Sequence, residues 1–292
     1  MCTFYNCKGF NSALTIPDSI KIIHENAFYK CNGLSGDLEL PDSIEFIYDY
    51  AFSDCTSLTG SLKIPSSLAK IKPYVFMGCK GLDGTLTIPE SVTTIGESAF
   101  KGCIGLTGSL IIPNSVTDIE EEAFYNCEGF DGELTLSNNL NQIKPFSFYK
   151  CSKLIGSLSI PNKVTIISDN AFDSCSSLIN KMNIPENVVE IGQFAFNNCY
   201  GFNEIELPDK IENIYASAFA NCYGLEKNLV IPEATKHIRN KAFYNCKGLE
   251  KLFIKSKLLQ IDDEAFALTK FSSVNYNGLN DISCEQNVFP SG

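Results

Sequence analysis

Ile-Pro-Glu-Ser-Val-Thr-Thr-Ile-Gly-Glu-Ser-Ala-Phe-Lys-Gly-Cys, at residues 88–103, decides the fold, because the chain repeats this pattern along nearly its whole length. The repeat is clearest in the cysteines, which are 24 residues apart except for one step of 23: Cys7, Cys31, Cys55, Cys79, Cys103, Cys127, Cys151, Cys175, Cys199, Cys222 and Cys246. A period of this length is typical of a solenoid, in which each repeat forms one coil of the chain.

Two further columns follow the same period. The isoleucines are Ile23, Ile47, Ile71, Ile95, Ile119, Ile143, Ile167, Ile191, Ile214, Ile238 and Ile261. The phenylalanines are Phe4, Phe28, Phe52, Phe76, Phe100, Phe124, Phe148, Phe172, Phe196, Phe219, Phe243 and Phe266. One coil has too few apolar side chains to enclose a core, so the coils must stack and share one. The columns therefore predict three buried ladders.

The pattern inside one repeat predicts its local structure. Leu38-Glu39-Leu40 alternates apolar and polar residues as a half-buried strand does, and Pro41 ends the strand because proline lacks the N–H donor. Residues 92–95 offer a second extended piece, and residues 99–103 fit a tight helical or 3₁₀ corner. We expect a repeat solenoid with a parallel β-sheet on one face, short strands and turns elsewhere.

Glycine recurs five residues after the cysteine in six repeats, at Gly36, Gly60, Gly84, Gly108, Gly132 and Gly156. Asn180 takes this place in a seventh repeat. Both residue types tolerate a left-handed backbone, so we expect a bend with positive φ at each of these positions.

The repeat also predicts the domain organisation. Residues 1–267 form an array of about eleven repeats of 23–24 residues, without a linker, and residues 268–292 read as an irregular closing segment. Residues 4–9 nearly copy residues 243–248, so the array starts in the middle of a repeat. We therefore expect a fragment, or a cap supplied from elsewhere.

Charge limits the partners. Lys and Arg total 23 against 34 for Asp and Glu, giving a formal net charge of −11. This balance disfavours nucleic acid and anionic membrane surfaces, which select basic faces. No stretch approaches the roughly 20 apolar residues of a membrane span, so we expect no direct membrane insertion.

Thirteen cysteines raise the question of disulfides. Eleven of them occupy equivalent positions, one in each coil, which favours a ladder of free buried thiols. Stacked side chains that point the same way resist the near-90° torsion of a disulfide. Cys2 and Cys284 fall outside the ladder and are the candidates for reaction or pairing.

The unit I-P-x-S-V-x-x-I-x-x-x-A-F-x-x-C resembles the BspA-type leucine-rich repeat, found in surface antigens and adhesins of bacteria and parasitic protists. The resemblance covers nearly the whole chain. It implies a right-handed leucine-rich-repeat solenoid, a non-enzymatic role, and a cell-surface or secreted location. It further implies attachment to host extracellular proteins or to other cells.

Catalytic chemistry has little support in the sequence. The two histidines, His24 and His237, are about nine coils apart, which is some 40 Å at about 4.8 Å per coil. The glycines recur once per coil and form no phosphate-binding loop. The acidic run at residues 120–122 is typical of a solvated surface. We expect no catalytic, cofactor-binding or metal-binding residue.

Candidate binding residues lie where the repeat varies. On the strands that contain the leucines, the residues beside each buried leucine point outward. Lys181, Glu204 and Glu206 form the most polar cluster of these columns, and Val230 and Phe253 form an apolar patch at one end. Elsewhere the columns are rich in Ser and Thr, which solubility and β-propensity alone would also select.

A second candidate surface carries tyrosines on the bends. Tyr200 and Tyr223 occupy the same position in adjacent coils, and Tyr48, Tyr50 and Tyr74 gather on earlier ones. Tyrosine is a frequent interface anchor because it combines a large apolar area with a polar end. The alternative is that these rings pack over neighbouring coils and cover the core.

Two functional hypotheses remain. The first is a non-enzymatic protein-binding module, an adhesin-like surface protein with a protein partner such as a host extracellular matrix protein. The second is an intracellular leucine-rich-repeat scaffold for protein–protein interaction, which fits the absence of a signal peptide, of N-x-S/T sequons and of obvious disulfides. An enzyme is the least supported class, because the repeat contains no unique cluster of titratable residues.

Overall fold

The computed structural model describes residues 4–9, 12–257, 259–276, 283–284 and 288. The chain divides into two units: unit 1 comprises residues 1–140 and 146–154, and unit 2 comprises residues 141–145 and 155–292. Both consist of short parallel strands joined by turns, and the described residues contain no helix.

Unit 1 contains eleven strands: β1 (Ile22–Ile23), β2 (Gly36–Asp37), β3 (Phe46–Ile47), β4 (Leu58–Thr59), β5 (Leu62–Lys63), β6 (Lys70–Ile71), β7 (Leu86–Thr87), β8 (Thr94–Ile95), β9 (Leu110–Ile111), β10 (Asp118–Ile119) and β11 (Leu134–Thr135). The strands that end on the isoleucine column pair as β1 with β3 and as β6–β8–β10. The remaining strands pair as β2 with β4, β5 with β7, and β9 with β11.

Unit 2 contains twelve strands: β12 (Gln142–Ile143), β13 (Ile166–Ile167), β14 (Asn180–Asn183), β15 (Glu190–Ile191), β16 (Phe202–Glu206), β17 (Asn213–Ile214), β18 (Leu229–Ile231), β19 (His237–Ile238), β20 (Lys251–Ile254), β21 (Gln260–Ile261), β22 (Ser273–Tyr276) and β23 (Ser283–Cys284). The seven-stranded sheet β12–β13–β15–β17–β19–β21–β23 follows the isoleucine column. The others form the pair β14–β16 and the sheet β18–β20–β22.

The register of the isoleucine strands follows directly from the repeat. Ile71 pairs with Ile95, and Ile95 with Ile119, so each strand lies against its copy one coil later. All three side chains are buried, whereas the residue before each isoleucine is exposed or half-buried. A strand of two residues therefore places one side chain in the core and one on the surface. Of the second extended piece expected at residues 92–95, Thr94–Ile95 forms strand β8.

The phenylalanine ladder forms a stack of nearly parallel rings in the core of each unit. In unit 1, the Phe100 and Phe124 ring centroids lie 5.2 Å apart with an interplanar angle of 6°. In unit 2, Phe219 and Phe243 lie 5.1 Å apart at 11°. This is the offset-stacked geometry that aromatic pairs prefer. The predicted phenylalanine ladder is confirmed.

The cysteine ladder is buried from Cys31 to Cys246, whereas Cys7 is half-buried. Nine of these thiols donate to the carbonyl oxygen of the phenylalanine 26 or 27 residues earlier, for example Cys79 to Phe52 at 3.0 Å in unit 1 and Cys246 to Phe219 at 3.1 Å in unit 2. All eleven ladder cysteines are free thiols, as predicted. Cys2 lies outside the described residues. The backbone of Cys284 lies in β23, opposite Ile261.

The corner after each isoleucine strand is a series of hydrogen-bonded turns. Ala99 and Cys103 donate their N–H groups to carbonyls three residues earlier, as in the predicted 3₁₀ corner. The backbone does not continue as a helix, because Ser98 has a φ of +50°. The intervening N–H of Phe100 donates instead to Ala123 of the next coil, at 2.9 Å. The corner thus satisfies its backbone groups both locally and between coils.

The glycine prediction is partly wrong. Positive φ occurs at Gly36, Gly60, Gly108, Gly156 and Asn180. Gly84 and Gly132 have no such φ, and they are required for a different reason. A Cβ at Gly84 would lie 2.6 Å from the backbone nitrogen of Ser61 in the preceding coil. At this position glycine alternates between allowing a left-handed bend and allowing close approach of two backbones.

The predicted closing segment continues the coil pattern in part. Strand β22 pairs with β20, and β23 pairs with β21. Thr269 follows Phe266 at the spacing of the ladder cysteines and is fully buried. The sequence of the closing segment departs from the repeat, but its described strands, β22 and β23, keep the register of the preceding coils. The proposed boundary at residue 267 stays a prediction.

Candidate protein-binding surface

The candidate residues of the leucine strands lie on the outward side of unit 2. In the pair β14–β16, Lys181 lies opposite Glu204, and Asn183 lies opposite Glu206. The residues between them, Met182 and Ile205, are buried. In the same way, Val230 of β18 lies opposite Phe253 of β20. The alternation of a strand thus separates these side chains from the core.

The three charged residues form one cluster. Lys181 donates a hydrogen bond to Glu206, and its Nζ atom lies 4.0 Å from Oε1 of Glu204. The hydrogen bond to Glu206, and then the charges of Glu206 and Glu204, raise the pKa of Lys181 above its ordinary value. One ammonium group therefore faces two carboxylates, which leaves the cluster with a net negative charge.

Val230 and Phe253 lie side by side and form a half-buried apolar pair. Both side chains are half-buried. Phe253 also lies opposite Asn275 of β22, so a polar residue borders it on the next strand. The two apolar side chains adjoin each other as expected, but they expose only part of their surface.

A shallow cavity of about 230 Å³ joins the polar and apolar candidates. Glu204, Glu206, Asp209, Val230 and Lys255 are among its lining residues. Asp209 and Lys255 were not candidates in the sequence, because they lie in the connections that follow the strands and belong to neither outward column. The cavity therefore combines three carboxylates, one ammonium group and an apolar wall.

Tyr200 and Tyr223 stack on each other at the surface. Their ring centroids lie 5.1 Å apart at an interplanar angle of 4°, and they are 43% and 44% exposed. Burial, and then the neighbouring Tyr223, raise the pKa of Tyr200. The Nζ atom of Lys247 lies 5.9 Å from the Tyr223 ring centroid. Each tyrosine keeps nearly half of its surface for another contact. Tyr200 lies two residues before β16, and Tyr223 lies six residues before β18.

The earlier tyrosines have different surroundings. Tyr50 and Tyr74 stack at 4.5 Å and 3°, and the Tyr74 hydroxyl donates a hydrogen bond to Glu97. That hydrogen bond is the main cause of a raised pKa of Tyr74. Tyr29 packs edge-on against Tyr50 at 6.1 Å. These rings pack over neighbouring coils, as the alternative interpretation proposes.

One exposed apolar group was missed by the sequence reasoning. Ile22 and Phe46 are the outward residues of β1 and β3, and they are 42% and 49% exposed. The signal was present, because the residue before each buried isoleucine must point outward.

Each histidine contacts a side chain of a neighbouring coil. His24 stacks on Tyr48 at 6.0 Å, and Nδ1 of His237 lies 2.9 Å from Oδ1 of Asn213. The described part of the chain contains no group of three or more His, Cys, Asp or Glu side chains placed to hold a metal ion. It also contains no helix with the length and apolarity needed to cross a bilayer.

Stacked parallel strands with a 23–24-residue period define a leucine-rich-repeat solenoid. The sequence profile of the BspA type leucine rich repeat region matches the chain with six copies, over residues 1–131, 71–180, 107–226 and 178–291. These ranges cover nearly all of the chain, which therefore belongs to this family. The family resemblance and the predicted fold class are confirmed.

Solved structures of bacterial proteins share this fold. A leucine-rich repeat protein from Bacteroides ovatus matches with a TM-score of 0.80 and 26% identity, over 96% of this chain and 71% of that one. A leucine rich cell surface protein from Faecalibacterium prausnitzii matches with a TM-score of 0.56 and 30% identity, over 91% and 79%. The pneumococcal vaccine antigen PcpA matches in fold, with a TM-score of 0.53 and 18% identity, over 96% and 90%. No curated protein matches the chain.

Proposed function

We propose that this chain is a non-enzymatic protein-binding module that contacts its partner through unit 2. The contact surface is the outward side of β14, β16, β18 and β20, together with the stacked tyrosines. We call it the unit 2 surface, defined by Lys181, Glu204, Glu206, Val230, Phe253, Tyr200 and Tyr223. Stacked repeats that place variable side chains on a regular scaffold are a common basis for protein recognition.

The observation that carries this proposal is the cavity at Glu204, Glu206 and Val230. A protein partner can place an apolar side chain against Val230 and a cationic group near the carboxylates. Glu206 is the most exposed member of the charged cluster, with 73% of its side chain accessible. Charges of this kind orient a partner and increase the association rate more than they increase affinity.

The tyrosine pair supplies the second part of the surface. Its two rings are already stacked, so binding requires little further ordering of either side chain. Tyrosines that are held in place but partly exposed are typical anchors at protein interfaces. We therefore propose that this pair anchors the partner, and that the charged cluster orients the partner and contributes to its affinity.

We further propose an adhesin-like role at the cell surface, with host extracellular proteins or other cells as partners. The similarity to the cell surface protein from Faecalibacterium prausnitzii supports this location. The alternative is an intracellular scaffold, for which the free cysteines are one argument. Full burial of ladder thiols such as Cys79 keeps them unreactive in either compartment, so the cysteines no longer favour the alternative.

A binding screen tests the proposal. The immobilised chain is incubated with purified host extracellular-matrix proteins, alongside an unrelated solenoid of matched charge. Retention by the chain above this control is expected, and equal retention by both would contradict the adhesin role. Labelling of intact cells with a membrane-impermeant reagent tests the location separately. Complete inaccessibility of the chain would favour the scaffold.

A further inference from the structure

Unit 1 carries a second surface, on the isoleucine strands, which we call the Phe46 face. Its members are Ile20, Ile22, His24, Phe46 and Tyr48. Ile22 and Phe46 lie opposite each other in the β1–β3 pair, while the next residues, Ile23 and Ile47, are buried. The two strands thus place a pair of large apolar side chains next to each other on the outside of the sheet.

The rings beside this pair extend the apolar floor. Tyr48 stacks on His24 at 6.0 Å and 7°, and its ring centroid lies 6.2 Å from that of Phe46. Ile20, Phe46 and Tyr48 are all more than one third exposed. A contiguous exposed apolar patch is costly to hydrate and commonly marks a site of interaction.

The same outward positions are polar in later coils of unit 1. Lys70, Thr94 and Asp118 occupy the position of Ile22 and Phe46 in β6, β8 and β10. The fold therefore accepts polar residues at this position, and core packing does not require the apolar ones. Ile22 and Phe46 are departures from a polar column that the architecture leaves unexplained.

A cavity of about 470 Å³ lies against the aromatic part of this face. Phe46 and Tyr48 line it on one side, and Lys70 and Lys72 line it on the other. Within the described part of the chain, neither lysine has a carboxylate oxygen within 4.0 Å of Nζ. Glu45, which also lines the cavity, is paired with Lys21 at 3.7 Å. The cavity thus has an aromatic wall and two ammonium groups without a carboxylate partner.

From this arrangement we propose that the Phe46 face binds an extended acidic segment of a partner protein. A large apolar residue of that segment packs on Ile22 and Phe46, and an Asp or Glu two positions later pairs with Lys70 or Lys72. The aliphatic side chains in the floor, Ile20 and Ile22, favour an apolar side chain over a sugar ring. The two lysines give the charge complementarity for a carboxylate.

The distance between coils matches the distance between the two proposed side chains of the peptide, an apolar residue and an Asp or Glu two positions later. Coils repeat at about 4.8 Å, so the midpoint of Ile22 and Phe46 lies about 7 Å from the position of Lys70. In an extended peptide, side chains two residues apart point the same way and are about 6.8 Å apart. A segment that crosses the strands can therefore place its apolar residue and its carboxylate over the two parts of the face at once.

This inference concerns a surface in unit 1 and is independent of the function proposed for unit 2. Its test is a peptide-display selection on the immobilised chain. The parent is expected to enrich an apolar-x-Asp/Glu motif. Lys70→Glu/Lys72→Glu is expected to lose this motif and to enrich apolar-x-Lys/Arg instead. The matched control, Lys8→Glu/Lys80→Glu, changes two other exposed lysines of unit 1 and should retain the parent's motif.

The enriched peptide then gives a quantitative test. We expect Phe46→Ser and Lys70→Glu/Lys72→Glu each to weaken its binding at least about tenfold, while Glu206→Lys leaves it unchanged. Circular dichroism of each variant checks that the fold is retained, and Lys70→Gln serves as a milder variant if the reversal disturbs it. The proposal is overturned if the parent enriches no acidic motif, or if an acidic motif persists on the Lys70→Glu/Lys72→Glu variant.

Discussion

The Sγ atom of Cys103 lies 3.0 Å from the carbonyl oxygen of Phe76, to which the thiol donates a hydrogen bond one coil back. The thiol is fully buried, and burial raises its pKa to about 12. Because the thiolate is the reactive form, a buried and protonated thiol is inert to oxidation and alkylation. The cysteine ladder is therefore a structural element whose chemistry is independent of the compartment.

Thiol alkylation tests this directly. In the folded chain at pH 8, Cys103 is expected to remain unmodified by iodoacetamide, whereas in denaturant it should be modified completely. Cys7 is half-buried and serves as the internal control, so we expect it to react first. Mass spectrometry of tryptic peptides measures both sites. Rapid modification of native Cys103 would mean that the ladder is accessible.

Alkaline pH is expected to destabilise the fold through the same thiols. Between the ordinary thiol pKa of 9.0 and the folded value of about 12, the unfolded chain loses a proton that folded Cys103 retains. The free energy of unfolding therefore falls as pH rises, by about 1.4 kcal/mol per pH unit for each such thiol. Below pH 9 this contribution is fully present.

The measurement is urea unfolding between pH 8.5 and 10 for the parent and for Cys103→Ala. The variant lacks one titrating thiol, so its stability should fall less steeply with pH, by about one proton. Tyrosine and lysine titration affects both proteins and cancels in the comparison. Identical slopes would indicate that folded Cys103 ionises as an exposed thiol does.

Phe124 tests the ring stack of unit 1. It is fully buried, with its ring centroid 5.2 Å from that of Phe100 and 5.6 Å from that of Phe148. Phe124→Ala should lower the free energy of unfolding by about 3 kcal/mol or more, because it leaves a cavity in a shared core. Phe46→Ala makes the same chemical change at a residue that is 49% exposed and should cost less than about 1 kcal/mol. Equal losses in the two variants would show that the inward side is misassigned.

The tyrosine pair gives a prediction for binding. Tyr200→Ser/Tyr223→Ser should weaken binding to a partner of the unit 2 surface at least about tenfold, because both anchors are removed. Tyr50→Ser/Tyr74→Ser removes a similarly stacked pair from unit 1 and should leave the affinity unchanged. Biolayer interferometry with one purified partner measures all three proteins. If the two double variants bind alike, the tyrosines of unit 2 have no special role.

The ladders could be predicted from the sequence because every coil repeats them. Each coil must place its cysteine, isoleucine and phenylalanine where the neighbouring coil does, so the period alone identifies Phe124 and Ile119 as buried. The same logic identifies outward columns, and it placed Lys181 beside Glu204 and Val230 beside Phe253. Features that recur in every coil can therefore be recognised from the sequence alone.

The cavity and the backbone conformation at the glycines could not be predicted in this way, because they depend on contacts that do not recur at the repeat period. Asp209 joins Glu204 and Val230 in one cavity because a connection follows the strand there. Gly84 lacks a positive φ and instead makes room for Ser61, although its spacing is that of Gly60. These differences arise from local backbone geometry, which the repeat does not encode.

The central claim is that unit 2 binds a protein through the residues that vary between coils. Its most direct test is the affinity of one purified partner for the parent, Glu206→Lys and Glu133→Lys. Both variants reverse one exposed glutamate next to a leucine strand, but Glu133 lies in unit 1 and does not line the cavity. We predict at least about tenfold weaker binding for Glu206→Lys and parent affinity for Glu133→Lys. Equal affinity of all three proteins, or a loss in Glu133→Lys alone, would contradict the claim.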